Sequence, residues 1–497
     1  MSKIRVLLLT NRDSDNVGDQ IIESTAISLI KGVMKNLDVP ADGFVINSRA
    51  AGIISKRYMS TRDPALLEDA RRTISNSDVI IFGGAPLFNY SYQNFYLRTI
   101  LTLELAQEYG VPVLFSSIGV EPYDESNPKC RKLKAALTQS CVRQITTRDD
   151  IDSVRRYVEG TDIAVAHVSD PAVFADIVFR KAPPAKAAPA SAAAPTPSFA
   201  RRLVRKARRM ARKARRALRA TSAPEREAGT PKAPAAPAAA PRSTAEVAKS
   251  SGAAAEPRPK RIGLVVTRAG IFRDNQIEFT EEDQRDFWLD VIADLTQRGY
   301  DYRLFTTGHF SDEVFLDTFV KTQGIPASKA AFTVNSPEEL TNELSACDGV
   351  IAYRLHASIT CFAYRIPSIG LSWNFKVPYF YQSVDHGDRA LAPDRWTAAD
   401  VVPAMEKAMV EGVTADLSFL MSVYDTLFAG LKGIFAPDSD RTPFTYDELR
   451  TKLPRYGGTS QTQYRDKVRR KFRRTYENYQ KYSAYYLQDQ QAKKEGA

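Results

Sequence analysis

The sequence predicts an α/β protein with two Rossmann-like, doubly wound parallel sheets, and three observations support this. Short, continuous apolar runs alternate with segments of helical periodicity over residues 4–178, and the alternation resumes at residue 261. Such runs are typical of parallel strands buried on both faces. Between the two regions lies an Ala/Pro-rich stretch with almost no large apolar residues. We therefore expect an N-terminal domain (1–180), a disordered basic linker (181–260), a C-terminal domain (261–435) and a helical, Tyr-rich tail (436–497).

The first half of the chain alternates strands and helices in regular order. It opens with IRVLLL at residues 4–9, and apolar residues then recur at helical spacing from 20 to 37. Further strands are predicted at 44–47, 79–82, 111–116, 142–146 and 163–168, with helices at 97–108 and 129–140.

The second half repeats this alternation and ends in helices. Its strands are predicted at 262–266, 302–306, 349–352 and 366–371. Its helices are predicted at 281–297, 337–347, 357–364, 398–411 and 417–431, with a terminal helix from Tyr464 onward.

Length and composition favour a cytoplasmic, globular protein. The 497 residues suffice for two or three domains. No apolar run approaches the ~20 residues that a membrane-spanning helix needs, and the N-terminal run is too short for a signal peptide. The four cysteines and four histidines lack metal-ligand spacing, so we expect no metal, no cofactor and no disulfide framework.

The net charge of +11 is concentrated in one segment. Residues 181–261 contain 20 Lys and Arg but only 4 Asp and Glu. That segment therefore carries +16, and the rest of the chain carries −5. Because the predicted domains are mildly acidic, nucleic-acid binding by the whole protein is disfavoured.

A basic stretch within the linker has its own pattern. Residues 201–219 (RRLVRKARRMARKARRALR) contain 11 basic residues of 19 and, if helical, a thin apolar stripe. Such a helix suits an anionic membrane surface or a polyanion. A solubilising insertion without a partner is the alternative.

The loop after the first strand excludes two nucleotide-binding motifs. Residues 11–20 read NRDSDNVGDQ, which is neither GxGxxG nor a P-loop. Asp19 is expected either to cap the following helix or to act in a site, together with Asn16 and Gly18. Two other strand ends offer candidates for substrate contact: the Gly83-Gly84 pair, where backbone can approach a ligand, and Arg148, which could instead bridge elements.

The stretch from Asp348 to Phe380 predicts an anion site. Arg354 and His356 stand where a strand opens into a helix, and Lys376 follows the next strand. Ligands of open α/β sheets bind at the carboxyl ends of strands, where helix N-termini attract anions. Arg268 ends a strand of the same predicted domain. These cations and the titratable imidazole suit a phosphorylated anion.

Several motifs together resemble the polysaccharide pyruvyl transferase family. The resemblance covers roughly residues 4–178 and 261–385, and Ala85-Pro86 replaces the third glycine that usually follows the glycine pair. The matching motifs are LLTNRDSDNVGDQII, SDVIIFGGAPLF, PVLFSSIGVEP, TTRDDIDSV, VSDPAVF, IGLVVTRAG and CDGVIAYRLHASITCFAYRIPSIGLSWNFKVPYF.

The resemblance implies a GT-B-like pair of Rossmann-like domains and transfer of a pyruvyl group from phosphoenolpyruvate. The acceptor would be a cell-surface glycan or its lipid-linked precursor, and the product a cyclic ketal with release of phosphate. We expect Arg268 and Arg354 to bind the donor's phosphate and carboxylate, with Lys376 in a secondary role. His356 is the expected acid or donor-positioning group. Asp19 is expected to orient or deprotonate the acceptor hydroxyl.

Two other functions remain open from the sequence. One is a GT-B glycosyltransferase that uses a nucleotide sugar. The other is a non-catalytic, membrane-associated scaffold, although a scaffold does not need Arg268, Arg354 and His356 together. The leading hypothesis places the enzyme in the cytoplasm or at the inner face of the membrane.

Overall fold

Two all-parallel sheets form the frame of the molecule. The computed structural model describes residues 3–12, 14–90, 95–179, 259–268, 270–332 and 334–495, with side chains through 477 and at 480. The basic stretch at 201–219 and the rest of the linker up to residue 258, which was expected to be disordered, lie outside the described residues. Residues 1–180 and 258–497 belong to one compact unit.

The first sheet has six strands connected through helices. The strands are β1 (Ile4–Thr10), β2 (Phe44–Ala50), β3 (Val79–Gly83), β4 (Val113–Ile118), β5 (Val142–Thr147) and β6 (Ala164–His167). The helices are α1 (Val17–Asn36), α2 (Lys56–Thr61), α3 (Glu68–Ser75), α4 (Phe95–Glu108), α5 (Pro128–Leu137), α6 (Ile151–Tyr157) and α7 (Ala175–Phe179). The strand order is β2-β1-β3-β4-β5-β6.

The second sheet has five strands. They are β7 (Arg261–Val265), β8 (Asp301–Phe305), β9 (Gly349–Ala352), β10 (Ser368–Leu371) and β11 (Ala390–Leu391), in the order β11-β10-β9-β7-β8. Its helices are α8 (Gly270–Asp274), α9 (Glu281–Gln297), α10 (Phe310–Thr322), α11 (Pro337–Ser345), α12 (Leu355–Ala363), α13 (Lys376–Ser383) and α14 (Ala398–Glu411).

Three further helices follow the second sheet: α15 (Leu417–Phe435), α16 (Tyr446–Lys452) and α17 (Gln461–Glu495). Helix α15 returns to the first sheet, where Gln144 of β5 donates to the carbonyl of Thr426 at 3.1 Å. Helix α17 packs along α10 of the second sheet. The C-terminal region therefore contacts both sheets.

Alternating strand residues fill different cores, as the two-residue period of a strand requires. In β1, Val6 and Leu8 face the helix α1 side, whereas Leu7 and Leu9 face the side of α3, α4 and α5. The core on the α1 side continues into the second sheet through residues such as Val265 and Val350. The two sheets thus share one hydrophobic core.

The sheets also meet through backbone at the start of α1. The amide of Val17 donates to the carbonyl of Thr307, after β8, at 2.7 Å. Gly308 has φ +88°, and a Cβ there would lie 2.7 Å from the Val17 side chain. Only glycine fits this close approach without strain.

Each sheet has one switch point, where the connections leave in opposite directions. These points lie between β1 and β3 in the first sheet and between β7 and β9 in the second. Ligands of open parallel sheets bind in the crevice at this position. The predicted α/β fold with two doubly wound sheets and C-terminal helices is confirmed.

No helix in the described part of the chain is both long enough and apolar enough to cross a membrane.

Candidate functional site

A cavity of about 270 Å³ lies where strand ends of both sheets meet. It gathers seven of the ten predicted site residues: Asn16, Asp19, Arg148, Arg268, Arg354, His356 and Lys376. The lining includes Asn11, Ser14, Pro86, Asn89 and Glu121 of the first sheet's loops, and Ile271, Asn275, His309, Leu355, Trp373, Asn374 and Phe375 of the second's.

The loop after β1 brings the first sheet to His356. Helix α1 begins at Val17, three residues earlier than predicted, so its cap is Asn16 and not Asp19. The Asn16 Oδ1 accepts from the Gly18 amide at 3.1 Å, and its Nδ2 lies 3.4 Å from His356 Nδ1. One asparagine thus caps the helix and contacts the imidazole.

Gly18 is required by the close approach of the imidazole. A Cβ at this position would lie 2.3 Å from the His356 Cβ and 2.6 Å from its Nδ1. Real Cβ atoms do not approach other atoms so closely. Gly18 therefore makes room for His356 and does not itself line the cavity.

Asp19 is a buried carboxyl that faces this cavity. Its Oδ2 accepts from Asn11 Nδ2 at 3.2 Å. Burial raises the pKa of Asp19, although hydrogen bonds from Ser14 and Asn11 oppose the shift. A carboxylate with a raised pKa is a better proton acceptor than an exposed one.

Arg354 stands at the N-terminus of α12 and is oriented by Asp312 of α10. Its Nε and Nη2 donate to the two Asp312 carboxylate oxygens, each at 2.8 Å. Asp312 is fully buried, and burial works against its charge, but Arg354 lowers its pKa below the usual value. The bidentate pair uses two of the five guanidinium N–H groups and leaves the others for a ligand.

Asp312 also positions the backbone of Arg268. It accepts from the Arg268 amide at 3.1 Å and from the Thr267 hydroxyl at 3.2 Å. The Arg268 side chain pairs with Asp274 of α8 at 2.8 Å and is about one-third exposed. Arg268 is therefore held at the outer part of the cavity.

Arg148 brings a buried positive charge from the first sheet. It pairs with Asp170, and both side chains are buried. Burial works against the charge, but Asp170 and Asp149 outweigh it and raise the pKa of Arg148. Its Nε is buried and has no hydrogen-bond partner among the described residues.

Lys376 begins α13 and faces the same cavity. Burial lowers its pKa, Arg148 adds to the effect, and Asp149, Glu121 and Asp19 partly oppose it. Within the described part of the chain, no carboxylate forms an ion pair with Lys376. It is therefore the least neutralised of the four cations in the lining.

His356 has an unusual environment for a histidine. Burial and the charges of Arg148, Lys376 and Arg354 lower its pKa well below the ordinary value of 6.5. The ring is therefore neutral at pH 7. Its Nε2 is buried and lacks a hydrogen-bond partner among the described residues. Both this atom and the Arg148 Nε belong to residues that line one cavity, as is typical of a ligand site.

The structure places Gly83 and Gly84 against β1 and α1. A Cβ on Gly83 would lie 3.2 Å from Leu8, and one on Gly84, which has φ +61°, only 2.4 Å from Ile22. Neither glycine lines the cavity. The same loop contributes Pro86 and Asn89 instead. The glycine pair permits helix–sheet packing.

A wider groove of about 1,140 Å³ adjoins the cavity. Asn11 and Ser14 line both, and Asp274, the partner of Arg268, lines the groove. Residues of the first sheet form most of its wall, with the polar or charged side chains of Ser55, Lys56, Ser60 and Arg98 among them. A small ligand in the cavity and a larger one in the groove would therefore meet beside Asn11.

Asp312, Asp170 and Asp149 were not predicted from the sequence as site residues. The sequence could have identified Asp312, because this residue follows the strand end at Gly308-His309 and precedes apolar residues at helical spacing. Among the described residues, no group of three or more His, Cys, Asp or Glu is arranged to hold a metal ion.

The fold and the site define a two-sheet α/β protein with a cation-lined cleft at its strand ends. The family model described as polysaccharide pyruvyl transferase matches residues 16–228 and 253–374. The chain belongs to the polysaccharide pyruvyl transferase family. The predicted family membership is confirmed, and the family name implies a transferase with a polysaccharide acceptor.

Solved structures of low sequence identity also match. The UDP-GlcNAc 2-epimerase from Methanocaldococcus jannaschii is 12% identical, with 86% of this chain and 98% of that chain covered and a TM-score of 0.45. A putative UDP-N-acetylglucosamine 2-epimerase from Listeria monocytogenes is 9% identical, with coverage of 89% and 100% and a TM-score of 0.47. No curated protein matches the sequence.

Proposed function

We propose that the protein transfers a pyruvyl group from phosphoenolpyruvate to two hydroxyls of a glycan or its lipid-linked precursor. The product is a cyclic ketal, and phosphate is released. The observation that carries this proposal is the arrangement of Arg148, Arg268, Arg354 and Lys376 around one cavity with a neutral His356. Phosphoenolpyruvate carries a phosphate and a carboxylate on a small carbon frame, which suits four converging cations.

The cavity's size supports a small donor. At about 270 Å³ it lies just below the range for ligand pockets, roughly 300–1,000 Å³. A nucleotide sugar would need additional space. The adjoining groove, about 1,140 Å³, suits a glycan acceptor.

In the proposed reaction the methylene carbon of phosphoenolpyruvate gains a proton and a sugar hydroxyl attacks the central carbon. The C–O bond to phosphate then breaks, and a second hydroxyl attacks the same carbon to close the ketal. The two hydroxyl protons balance the new methyl C–H bond and the released hydrogen phosphate. Fixed cations stabilise the leaving phosphate and would contribute several kcal/mol to lowering the barrier.

In this scheme, His356 becomes protonated when the donor binds. The free protein holds the imidazole neutral because Arg148, Lys376 and Arg354 oppose a further positive charge. A bound trianion neutralises these cations and so raises the pKa of His356. The resulting imidazolium can then protonate the methylene carbon.

Asp19 serves as the base for the acceptor hydroxyl. Its partner Asn11 lines both the cavity and the groove, so Asp19 stands on the side from which an acceptor would approach. Its raised pKa supports this role, since the carboxylate is a stronger base than an exposed one.

The decisive experiment incubates the full chain with phosphoenolpyruvate and a panel of glycans and lipid-linked oligosaccharides. We expect phosphate release that depends on the acceptor, with the mass gain of one pyruvyl ketal. The same panel with nucleotide sugars is the control. Glycan extension with nucleotide sugars, or no thermal shift and no phosphate release with phosphoenolpyruvate, would refute the proposal.

A further inference from the structure

The outward face of helix α17 is unusual for a protein surface. Phe472 is 73% exposed and Tyr476 is 58% exposed, and they lie one helical turn apart. Both belong to the few large hydrophobic side chains that are exposed among the described residues. Scattered exposed apolar residues are common, but a neighbouring pair on one helix face indicates an interaction surface.

The other side of α17 packs against the rest of the protein, so Phe472 and Tyr476 face away from it. Lys467 and Lys471 are buried, and Lys471 donates to Asn335 Oδ1 at 2.6 Å. Tyr464 donates to Glu339 at 2.7 Å. With 3.6 residues per turn, Phe472 and Tyr476 fall outside the arc that these three residues define. The aromatic pair is therefore unpartnered within the described chain.

Arginines flank the aromatic pair along the same arc. Arg465, Arg469 and Arg473 recur every four residues and are exposed. The Nη1 of Arg469 lies 3.9 Å from the Oδ1 of Asp466 on the same helix. This distance is too long for a hydrogen bond, so most of the guanidinium N–H groups of Arg469 are available to a partner. We define the arginine–aromatic face as Arg465, Arg469, Phe472, Arg473 and Tyr476.

We propose that the arginine–aromatic face binds the surface of an anionic phospholipid membrane. Arginines bind lipid phosphates while their stems extend along the acyl boundary, and aromatic rings prefer the headgroup level. A soluble polyanion would neutralise the arginines but leave Phe472 in water. A second copy of the same face would bring like charges together. A membrane surface satisfies both halves of the pattern, and neither of these two partners does.

This surface is independent of the proposed reaction and of the basic stretch at 201–219. Three arginines near an anionic surface would strengthen binding by on the order of a hundredfold. Loss of two of them should therefore weaken it by about thirtyfold.

The test uses a reporter at one position, because residues 201–219 could also retain the full chain on vesicles. The four native cysteines are buried, so Phe472→Cys can carry a polarity-sensitive fluorophore. The matched control is Val410→Cys, at a residue that is 88% exposed on α14. Phosphatidylcholine vesicles are compared with vesicles that also contain phosphatidylglycerol. We expect a blue shift for the label at 472 on the anionic vesicles only, and none at 410.

Flotation of the unlabelled Arg469→Gln/Arg473→Gln variant with the same vesicles should show binding that is weaker by about thirtyfold. An unshifted label at 472 on vesicles that retain the protein would overturn the proposal. Two other outcomes would also overturn it: an equal shift with heparin in the absence of vesicles, which indicates a polyanion site, or a shift that depends on protein concentration alone, which indicates self-association.

Discussion

At the residue scale, the proposed chemistry depends on a histidine that is neutral before the donor binds. Replacing His356 by Asn keeps a polar group near Asn16 but removes the titratable nitrogen. We expect turnover to fall by ~100-fold or more, the range of general acid–base contributions. Donor affinity should fall by less than turnover, because the cations remain and only the contribution of the protonated imidazole is lost. Steady-state kinetics with an acceptor in excess would measure both quantities.

Proton uptake gives a second readout for His356. The pKa of His356 lies well below 6.5 in the free protein, and donor binding is expected to raise it. Calorimetric titration of phosphoenolpyruvate in buffers of different ionisation enthalpy should show proton uptake in the unmodified protein and a smaller uptake in His356→Asn. Equal uptake in both proteins would contradict the assignment.

Gly18 gives a prediction that runs against helix propensity. Alanine is normally favoured over glycine inside a helix by roughly 0.5–1 kcal/mol. A Cβ at position 18, however, would lie 2.3 Å from His356, so Gly18→Ala must displace the imidazole or the start of α1. We expect lower turnover and a lower melting temperature. Gly433→Ala is the control, since a Cβ there meets nothing within 4 Å and should stabilise slightly.

Asp312 tests whether Arg354 must be oriented. Asp312→Asn keeps the shape but loses the carboxylate that accepts two Arg354 bonds at 2.8 Å. Breaking a buried pair typically costs about 3–5 kcal/mol. We expect a large increase in KM for phosphoenolpyruvate and reduced stability. Asp317→Asn, at a partly exposed aspartate of the same helix that pairs with Lys321, is the control and should leave KM unchanged.

At the element scale, the strands and the long helices could be predicted from periodicity. Helices α9 and α14 have the predicted bounds, and β9 spans 349–352 as expected. Helix α10 was not predicted, although Phe315 and Phe319 have helical spacing, because the chain before it reads as a turn. Because this helix was not predicted, Asp312 was not identified as a site residue either. The sequence shows which cations follow strands, but only packing shows which carboxylate orients each of them.

Helix α17 contains a lysine whose charge destabilises the folded protein. The Lys467 Nζ is buried without a hydrogen-bond partner among the described residues, and burial lowers its pKa from 10.5 to about 8. Between these two pH values the unfolded chain binds a proton that the folded chain has released. Stability attributable to this group therefore rises with pH across that window.

Replacing Lys467 by Met should remove this pH dependence. At pH 7 we expect the variant to be more stable by on the order of 1–3 kcal/mol, with the advantage vanishing above pH 10.5 where both states of the lysine are neutral. Urea unfolding at pH 7, 9 and 10.5 would measure the difference. Arg470→Gln, exposed on the same helix, should show no such trend.

At the scale of the whole molecule, the cavity exists because the two sheets are held in a fixed position relative to each other. They share a hydrophobic core and a backbone hydrogen bond from Val17 to Thr307. Motif order along the sequence indicates that both halves contribute, and seven of ten predicted site residues line the cavity. The relative placement of the sheets could not be predicted, because it depends on contacts between residues hundreds of positions apart, such as Asn16 and His356.

Helix α17 adds a further connection between the sheets, beside the site. Arg474 donates to Asp15 of the first sheet's loop at 2.6 Å, while Lys471 pairs with Glu313 of α10. The loop of Asp15 also carries Asn11 and Asn16, so we expect α17 to order this part of the site. Removing residues 461–497 should therefore raise KM for phosphoenolpyruvate.

The expected increase is about fivefold, which corresponds to roughly 1 kcal/mol for ordering one loop segment. Arg474→Gln should reproduce part of it, because it breaks only the contact with Asp15. Arg469→Gln is the matched control: this arginine points away from the body, so KM should stay unchanged while vesicle binding weakens. Equal KM values for the truncated and full chains would show that the loop holds its shape without α17.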